Sequence, residues 1–297
     1  MDIVREIKSL GVGKITVKPK LSNLTTYKVS GEAAILVQPN NIVGLKKLME
    51  FIYKNNVKHK ILGNGSNLIF NSNYDGVLIS LKSFDKFEKH ENEFNIGAGY
   101  STIKASIKAS RDGYTGFEFA TGIPGTIGGA IYMNAGAYNS DMGYITKSIK
   151  VLTPELEIKT MYNHELDFHY RTSFLQKHPG YICIEARIVL KKGDKKNIMQ
   201  VIDDRRKRRI ESQPLEYPSA GSVFRNPKDD YAGRLIEELG YKGNGVGGAV
   251  VSEKHANFIV NKGGATGEDI KKLINNIRKD VKDKYGIELK VEQEFVE

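Results

Sequence analysis

Apolar and polar positions alternate along this chain with two distinct periods, and the period changes mark the elements. Residues 34–37 form an apolar run stopped by Pro39, which predicts a strand. Ile42, Leu45, Leu48, Met49, Ile52 and Tyr53 then recur at helical spacing. Ile61 and Leu62 read as a short strand entering Gly63-Asn64-Gly65-Ser66-Asn67, with further strands at 68–70 and 77–81 and no helix after the loop. Phe94, Ile96 and Ala98 alternate toward Gly99, and Ser101 stands as N-cap of a helix to about Asp112. Strands are expected at 149–152, 157–161 and 181–190, and on either side of His255.

Three helices follow in the C-terminal third. One spans about 197–211 and stops at Gln213-Pro214, because proline cannot continue a helix. A second spans 231–239 with Gly240 closing it. The third has Thr266 as N-cap, Asp269 three residues on, and Ile270, Leu273, Ile274, Ile277, Val281 and Tyr285 on one face before Gly286. A final strand at 287–296 carries Glu288, Glu292 and Glu294 at alternate positions, hence on one face. At 297 residues the chain exceeds one ordinary core. The pattern predicts an α+β fold in three domains, 1–82, 83–196 and 197–297, with a break in the charged turn residues 82–92.

Composition narrows the class. A net charge of +10 attracts polyanions, yet most of it is lysine scattered along helix faces. The dense run Arg205-Arg206-Lys207-Arg208-Arg209 follows Asp203 and Asp204, and reads as a solvated helix face or as a site for small anions. Bases interleaved with aromatics, as in a single-strand platform, are absent from it. The lone Cys183 excludes a disulfide framework within the chain. The six histidines lack metal-ligand spacing, so no metal is expected. Without a signal-like leader or a run of about 18 apolar residues, a cytoplasmic protein with no membrane span is expected.

Candidate chemistry falls on glycine-rich loops and isolated polar residues. In 117–138, FEFATGIPGTIGGAIYMNAGAY, the glycines Gly122, Gly125, Gly128 and Gly129 permit positive φ and close backbone approach. Thr126, Ile127 and the glycines then aim bare N–H groups at an anion such as a diphosphate; a tight turn is the alternative. Gly63 to Asn67 is a phosphate loop or a polar turn. It is not the dinucleotide fingerprint, since Leu68 stands where the third glycine belongs. Arg171, in Tyr170-Arg171-Thr172-Ser173-Phe174, offers a guanidinium fork for a carboxylate or phosphate, or a surface ion pair. Ser222 lies between Gly221 and Val223 with no nucleophile elbow around it, and Glu292 reads alone as ordinary edge-strand charge.

Taken together, GNGSNLI at Gly63, GIPGTIGGAIYMNAGAY at Gly122, YRTSF at Tyr170, PSAGSVFRNP at Pro218, GGAVVSEKHANFIVN at Gly247 and the terminal IELKVE ending at Glu292 resemble the UDP-N-acetylenolpyruvoylglucosamine reductase family, in order and over essentially the whole chain. The match is to the shorter subtype, which lacks an inserted substrate-capping loop. The resemblance implies two domains binding FAD in the manner of vanillyl-alcohol-oxidase-like flavoproteins and a third domain for the sugar nucleotide. It implies non-covalent FAD, its diphosphate on Gly63, Asn64, Gly65, Ser66, Asn67, Gly122, Ile123, Pro124, Gly125, Thr126, Gly128 and Gly129. NADPH is the implied reductant, and flavin N5 the hydride donor to C3 of the enolpyruvyl group in UDP-N-acetylglucosamine enolpyruvate.

By the same resemblance Arg171 neutralises the substrate carboxylate, Ser222 gives the proton to C2, and Glu292 orients the proton relay or stabilises the enol. Tyr170, Arg225 and Asn226 contact the sugar nucleotide. No nucleic acid and no obligate protein partner is implied. The chain departs from the family at Gln293-Glu294, where Val-Arg is common, so any contact made by that arginine is lost here. Two alternatives stand beside this one: a small-alcohol oxidase of the same broad fold, and a basic nucleic-acid-binding protein.

Overall fold

The helical and strand periods become elements at nearly the expected places in the computed structural model, which describes residues 3–297. Ala33–Pro39 is buried at five of its seven positions and pairs antiparallel with Gly13–Val17, from Gly13↔Pro39 to Val17↔Ile35. On its other side lies Tyr74–Ser80, followed by His59–Leu62, which runs parallel to it. The helix Ile42–Lys54 buries Leu45, Leu48, Met49 and Ile52, and Asn41 caps it by accepting the Gly44 N–H at 3.0 Å. Those side chains share one core with Val37 and Ile79 of the sheet.

A five-stranded sheet follows, in the order Ile158–Tyr162, Thr146–Leu152, Ile182–Val189, Glu93–Gly97, Phe87–His90, with every adjacent pair antiparallel. Its Ile96, Ile149, Ala186 and Ile188 continue the same core. The helix Thr102–Arg111 is capped by Ser101 as expected, its hydroxyl accepting the Lys104 N–H. A further helix, Ile127–Tyr132, occupies the stretch expected to be a glycine turn.

The chain forms two compact units that do not follow sequence order. The first comprises residues 3–17, Ile35–Asn64 and Gly76–Lys207. The second comprises Lys18–Ala34, Gly65–Asp75 and Arg208–Glu297. Composition shifts along the chain reveal neither return of the N-terminal third to the second unit. Yet Tyr27, Val29 and Ile69 fill the second unit's core together with Phe224, Leu235, Ile274 and Leu289. The helix Lys195–Ser212 changes unit between Lys207 and Arg208.

In the second unit a three-stranded antiparallel sheet, Gly245–Val246, Ala249–Val251 and Ile259–Asn261, is accompanied by the helices Ala232–Glu238 and Gly267–Tyr285. The expected terminal strand at 287–296 is a correction: only Glu294–Val296 is strand, parallel to Leu68–Phe70. The backbone before it is diverted, because Lys290 and Glu292 bond instead to residues 223–225. Glu288 pairs with Lys282 at the helix end. The three acids therefore do not share one strand face.

The helix Gly267–Tyr285 meets its expectation in detail. Thr266 Oγ1 accepts the Asp269 N–H at 3.1 Å, Asp269 returns an acceptor to the Thr266 N–H at 2.9 Å, and Gly286 takes φ 70° at the far end. Thr266→Ala should lower the unfolding free energy by about 1 kcal/mol by removing the cap. Chemical denaturation followed by far-UV circular dichroism checks this, and an unchanged midpoint would show that the cap carries no stability.

Candidate functional site

Gly63 and Asn64 meet the second glycine-rich loop inside the first unit. A Cβ on Gly63 would stand 2.9 Å from Thr126 Oγ1, and Asn64 Nδ2 donates to the Pro124 carbonyl at 3.4 Å. Gly65 has φ +60°, and a Cβ there would reach 2.2 Å from the Leu24 carbonyl oxygen. Glycine is therefore required at both positions of the 63–67 loop. Among the described residues, the N–H groups of Gly65 and Ser66 have no protein acceptor.

The second loop departs from its expectation. None of Gly122, Gly125, Gly128 and Gly129 has positive φ. Gly122 ends a 3-10 turn, Glu118–Gly122, and the helix Ile127–Tyr132 begins after Thr126, which accepts the Gly129 N–H at 3.3 Å. The amides of Gly125, Ile127 and Gly128 donate to Ile123, Tyr100 and Ala98 carbonyls at 2.8, 2.9 and 2.8 Å. These N–H groups are occupied within the protein. Gly128 serves packing, for a Cβ there would stand 3.0 Å from that of Ala98. Gly129 has only Thr126 Oγ1 nearby, at 3.5 Å, an ordinary contact.

Tyr170 and Arg171 form the tip of a tight turn whose ends, His169 and Thr172, exchange two hydrogen bonds of 3.0 Å. Arg171 sits third in the turn with φ 55°, where glycine or asparagine is usual. Its Nη2 donates to the Gly136 carbonyl at 2.9 Å and its guanidinium lies 5.1 Å from the Tyr170 ring centroid. Gln176 Nε2 donates to the Arg171 carbonyl at 3.1 Å and to the Tyr132 carbonyl at 2.8 Å, tying the turn to the helix Ile127–Tyr132. Ser173 Oγ donates to the same Tyr132 oxygen at 2.7 Å.

In the second unit, residues 222–225 run between two other segments. Ser222 bridges Phe258, and the Val223 N–H donates to the Asn257 carbonyl at 2.9 Å. On the opposite side the Glu292 N–H donates to the Val223 carbonyl at 2.8 Å, and the Arg225 N–H to the Lys290 carbonyl at 2.9 Å. Ser222 and Glu292, 70 positions apart, thus lie on adjoining backbone. Asn67 joins them, its Nδ2 donating to the Glu292 carbonyl at 3.1 Å while its own carbonyl accepts from Glu294. Asn226 Oδ1 accepts the Ala232 N–H at 3.2 Å, at the start of the helix Ala232–Glu238. Arg225 is half-buried and Asn226 exposed.

Three amides organise these pieces: Asn257 and Gln176, to which sequence reasoning gave no role, and Gln293, which it noted only as a departure from the family. Asn257, buried, accepts the Phe224 N–H at 2.9 Å and donates to the Phe224 carbonyl at 2.8 Å. Gln176 fixes Arg171 as described, and Gln293 is buried beside the Ser222 turn. Their only signal in sequence is proximity to the quoted motifs, since side-chain amides have no periodicity. Among the described residues, no group of three or more His, Cys, Asp or Glu side chains is placed to hold a metal, and no helix is long and apolar enough to cross a membrane.

Comparison with known proteins gives concordant results. A family model for the UDP-N-acetylenolpyruvoylglucosamine reductase C-terminal domain matches residues 213–296, and one for an FAD binding domain matches residues 33–161. The chain is 45% identical over 293 residues to UDP-N-acetylenolpyruvoylglucosamine reductase of Anoxybacillus flavithermus, covering 98% of this chain and 97% of that relative. For the Bacillus subtilis protein of the same name the identity is 40% over 296 residues, with 99% and 98% covered. The crystal structure of UDP-N-acetylenolpyruvylglucosamine reductase from Thermus caldophilus aligns with a TM-score of 0.83 at 31% identity, over 96% of this chain and 98% of its own.

Cys183, buried in the strand Ile182–Val189, has its thiol pushed up to about 12 by desolvation. At pH 8 only about one thiol in 10⁴ is then thiolate, the reactive form. A disulfide reagent should therefore fail to modify the folded protein and should titrate one thiol after denaturation. Rapid modification of the folded protein at pH 8 would contradict the buried placement.

Proposed function

The chain belongs to the UDP-N-acetylenolpyruvoylglucosamine reductase family, and from that premise we propose that it reduces UDP-N-acetylglucosamine enolpyruvate to UDP-N-acetylmuramate, with NADPH as reductant and non-covalent FAD as carrier. The fold class, α+β with an FAD-binding part and a C-terminal domain, is the family's. The proposed subdomains are 1–82 and 83–196 for FAD and 197–297 for substrate, with residues 18–34 and 65–75 packing into the C-terminal unit. The compound classes are water-soluble nucleotides, so the cytoplasm is the proposed location.

The observation that carries the reading is the backbone register that sets Ser222 beside Glu292. The reaction adds hydride to C3 and a proton to C2 of the enolpyruvyl double bond, consuming NADPH and one proton. Bound FAD supplies the hydride transfer capacity that amino-acid side chains lack. The residues of this chain supply the rest. The Ser222 hydroxyl gives its proton to C2, and Glu292 orients and refills that relay. The Arg171 guanidinium pairs with the substrate carboxylate and with the negative charge that spreads into it as C3 is reduced. Tyr170, Arg225 and the Nδ2 of Asn226 bind the sugar nucleotide.

The loop residues fit a dinucleotide in one loop more directly than in the other. Gly63, Asn64, Gly65, Ser66 and Asn67 form the proposed diphosphate cradle, supported by the uncommitted Gly65 and Ser66 amides. Gly122, Ile123, Pro124, Gly125, Thr126, Gly128 and Gly129 are proposed to line the cofactor by shape, their bare surface admitting a close approach where most of their amides are already bonded. The burial of Cys183, and the lack of any histidine in either loop, favour a cofactor held without a tether.

Two outcomes follow. Gly63→Ala should lower flavin content, because the new methyl displaces Thr126 Oγ1, and Gly129→Ala should lower it too by covering bare surface that the cofactor approaches; parent flavin absorbance per protein in both variants would refute the proposed cradle. Ser222→Ala should leave flavin reduction by NADPH nearly intact and slow flavin reoxidation by the enolpyruvyl sugar by about 10²–10⁴, the range for a removed general acid. Stopped-flow absorbance follows each half-reaction separately. Equal slowing of both, or of neither, would show that Ser222 is not the proton donor.

A further inference from the structure

Gln293, one residue beyond Glu292, is buried with 4% of its surface exposed. A buried carboxamide must place one acceptor and two donors, and a misplaced one destabilises its surroundings. Here all three functions are used. Oε1 accepts the Tyr27 hydroxyl at 2.9 Å, while Nε2 donates to the Ala220 carbonyl at 3.1 Å and the Gly221 carbonyl at 3.2 Å. Tyr27 is itself fully buried, and its own carbonyl accepts Asn261 Nδ2 at 3.0 Å, so the hydroxyl is presented from a fixed backbone.

The arrangement has a direction. The hydroxyl, donating to Oε1, turns the amide so that its N–H groups face the two carbonyls immediately before Ser222. Gly221 adopts φ +75° with open space where a Cβ would be, so side-chain packing does not fix the turn entering Ser222, and the bonds to its carbonyls do. After Ser222 the chain is clamped by the Phe258, Asn257 and Glu292 backbone bonds. Before Ser222, the bonds to Gln293 fix it on the remaining side.

We infer that Tyr27 and Gln293 are positioning residues for the reduction, a buried pair that holds the Ala220-Gly221 turn so that the Ser222 hydroxyl meets the substrate beside Glu292. The inference rests on Ser222 being the proton donor. Its chemistry is confined to the step in which a proton reaches C2, because neither residue bears on hydride transfer from NADPH. The pair also accounts for the departure at position 293: a polar side chain is held in the core because a tyrosine hydroxyl and two carbonyls await it.

The test uses the purified flavin-loaded full chain with three variants, Gln293→Met, Tyr27→Phe and the double variant, alongside Ser222→Ala. Flavin reduction by NADPH should be unchanged in all. Reoxidation by the enolpyruvyl sugar should slow about 10–100-fold in Gln293→Met, the scale of a displaced reacting group. In Tyr27→Phe it should slow about 3–10-fold, since the carbonyl bonds survive with a freer amide. The double variant should be no slower than Gln293→Met, as befits one unit. The solvent deuterium isotope effect on reoxidation should rise in Gln293→Met, and hydrogen exchange should quicken in peptides covering 219–224, a readout independent of turnover. Parent rates and isotope effect in Gln293→Met, or equal slowing of both half-reactions, would overturn the inference. If that variant does not fold, Tyr27→Phe decides on the same criteria. Should Ser222→Ala itself reoxidise normally, the proton-donor reading fails and takes this one with it, whereas slow Ser222→Ala beside normal positioning variants overturns the positioning alone.

Discussion

The backbone ladder through residues 222–225 is the constraint on which the second unit's site depends. Its groups bond to 257–258 on one side and to 290–292 on the other, and the Asn257 carboxamide satisfies both polar groups of Phe224. Val223 and Phe224 are almost fully buried, so each of these N–H and C=O groups needs a partner or destabilises the fold. A one-residue slip would break these bonds and put Val223 and Phe224 each on the face that the other now packs. The register that satisfies the backbone is the register that sets Ser222 beside Glu292. Val223 and Phe224, between and beside them, carry the packing that fixes this register.

The glycine-rich stretches show two uses of a missing side chain. In 63–67 the backbone itself is unusual, with Gly65 left-handed and Gly63 directly against Thr126. In 122–129 the backbone is ordinary. Gly128 lets the helix Ile127–Tyr132 approach Ala98, and the Thr126 hydroxyl caps that helix while also overlying Gly63. One threonine oxygen therefore stands against both loops, and a methyl added at Gly63 would press on it at 2.9 Å, while one at Gly129 would only touch it at 3.5 Å.

Local pattern made much of this fold readable. The helix from Gly267 declares itself by its cap, its apolar stripe and its terminal glycine, all between Thr266 and Gly286. The strands Ala33–Pro39 and Ile182–Val189 declare themselves by apolar content. Three features were hidden because their causes are distant in sequence. The short helix Ile127–Tyr132 has two glycines in six residues and owes its existence to the Thr126 cap and to packing on Ala98, against its propensity. The terminal segment 287–293 alternates like a strand but spends its backbone bonds on 223–225. The membership of 18–34 and 65–75 in the second unit depends on Tyr27, Val29 and Ile69 finding a core made 150 or more residues later. The motifs proposed Arg171 in the first unit and Ser222 and Glu292 in the second, whereas the bonds that Gln176, Asn257 and Gln293 make to the backbone around them emerge only from geometry.

The Arg171 turn illustrates why such amides matter. A non-glycine residue held at φ 55° costs roughly 1–3 kcal/mol when the surroundings impose it. The exchange of bonds between His169 and Thr172 closes the turn, but it would close equally with glycine at the third position. What distinguishes arginine is the side chain, and its Nη2 bond to the Gly136 carbonyl gives the strained backbone a partner that glycine lacks. Gln176 then binds the Arg171 carbonyl from the other side, so both ends of the residue are held. Lysine could supply the charge at this point but not a planar fork that bonds Gly136 through one nitrogen and turns its remaining donors elsewhere. The strain is thus tied to guanidinium geometry, and a residue that merely conserved charge would keep the cost and lose what offsets it.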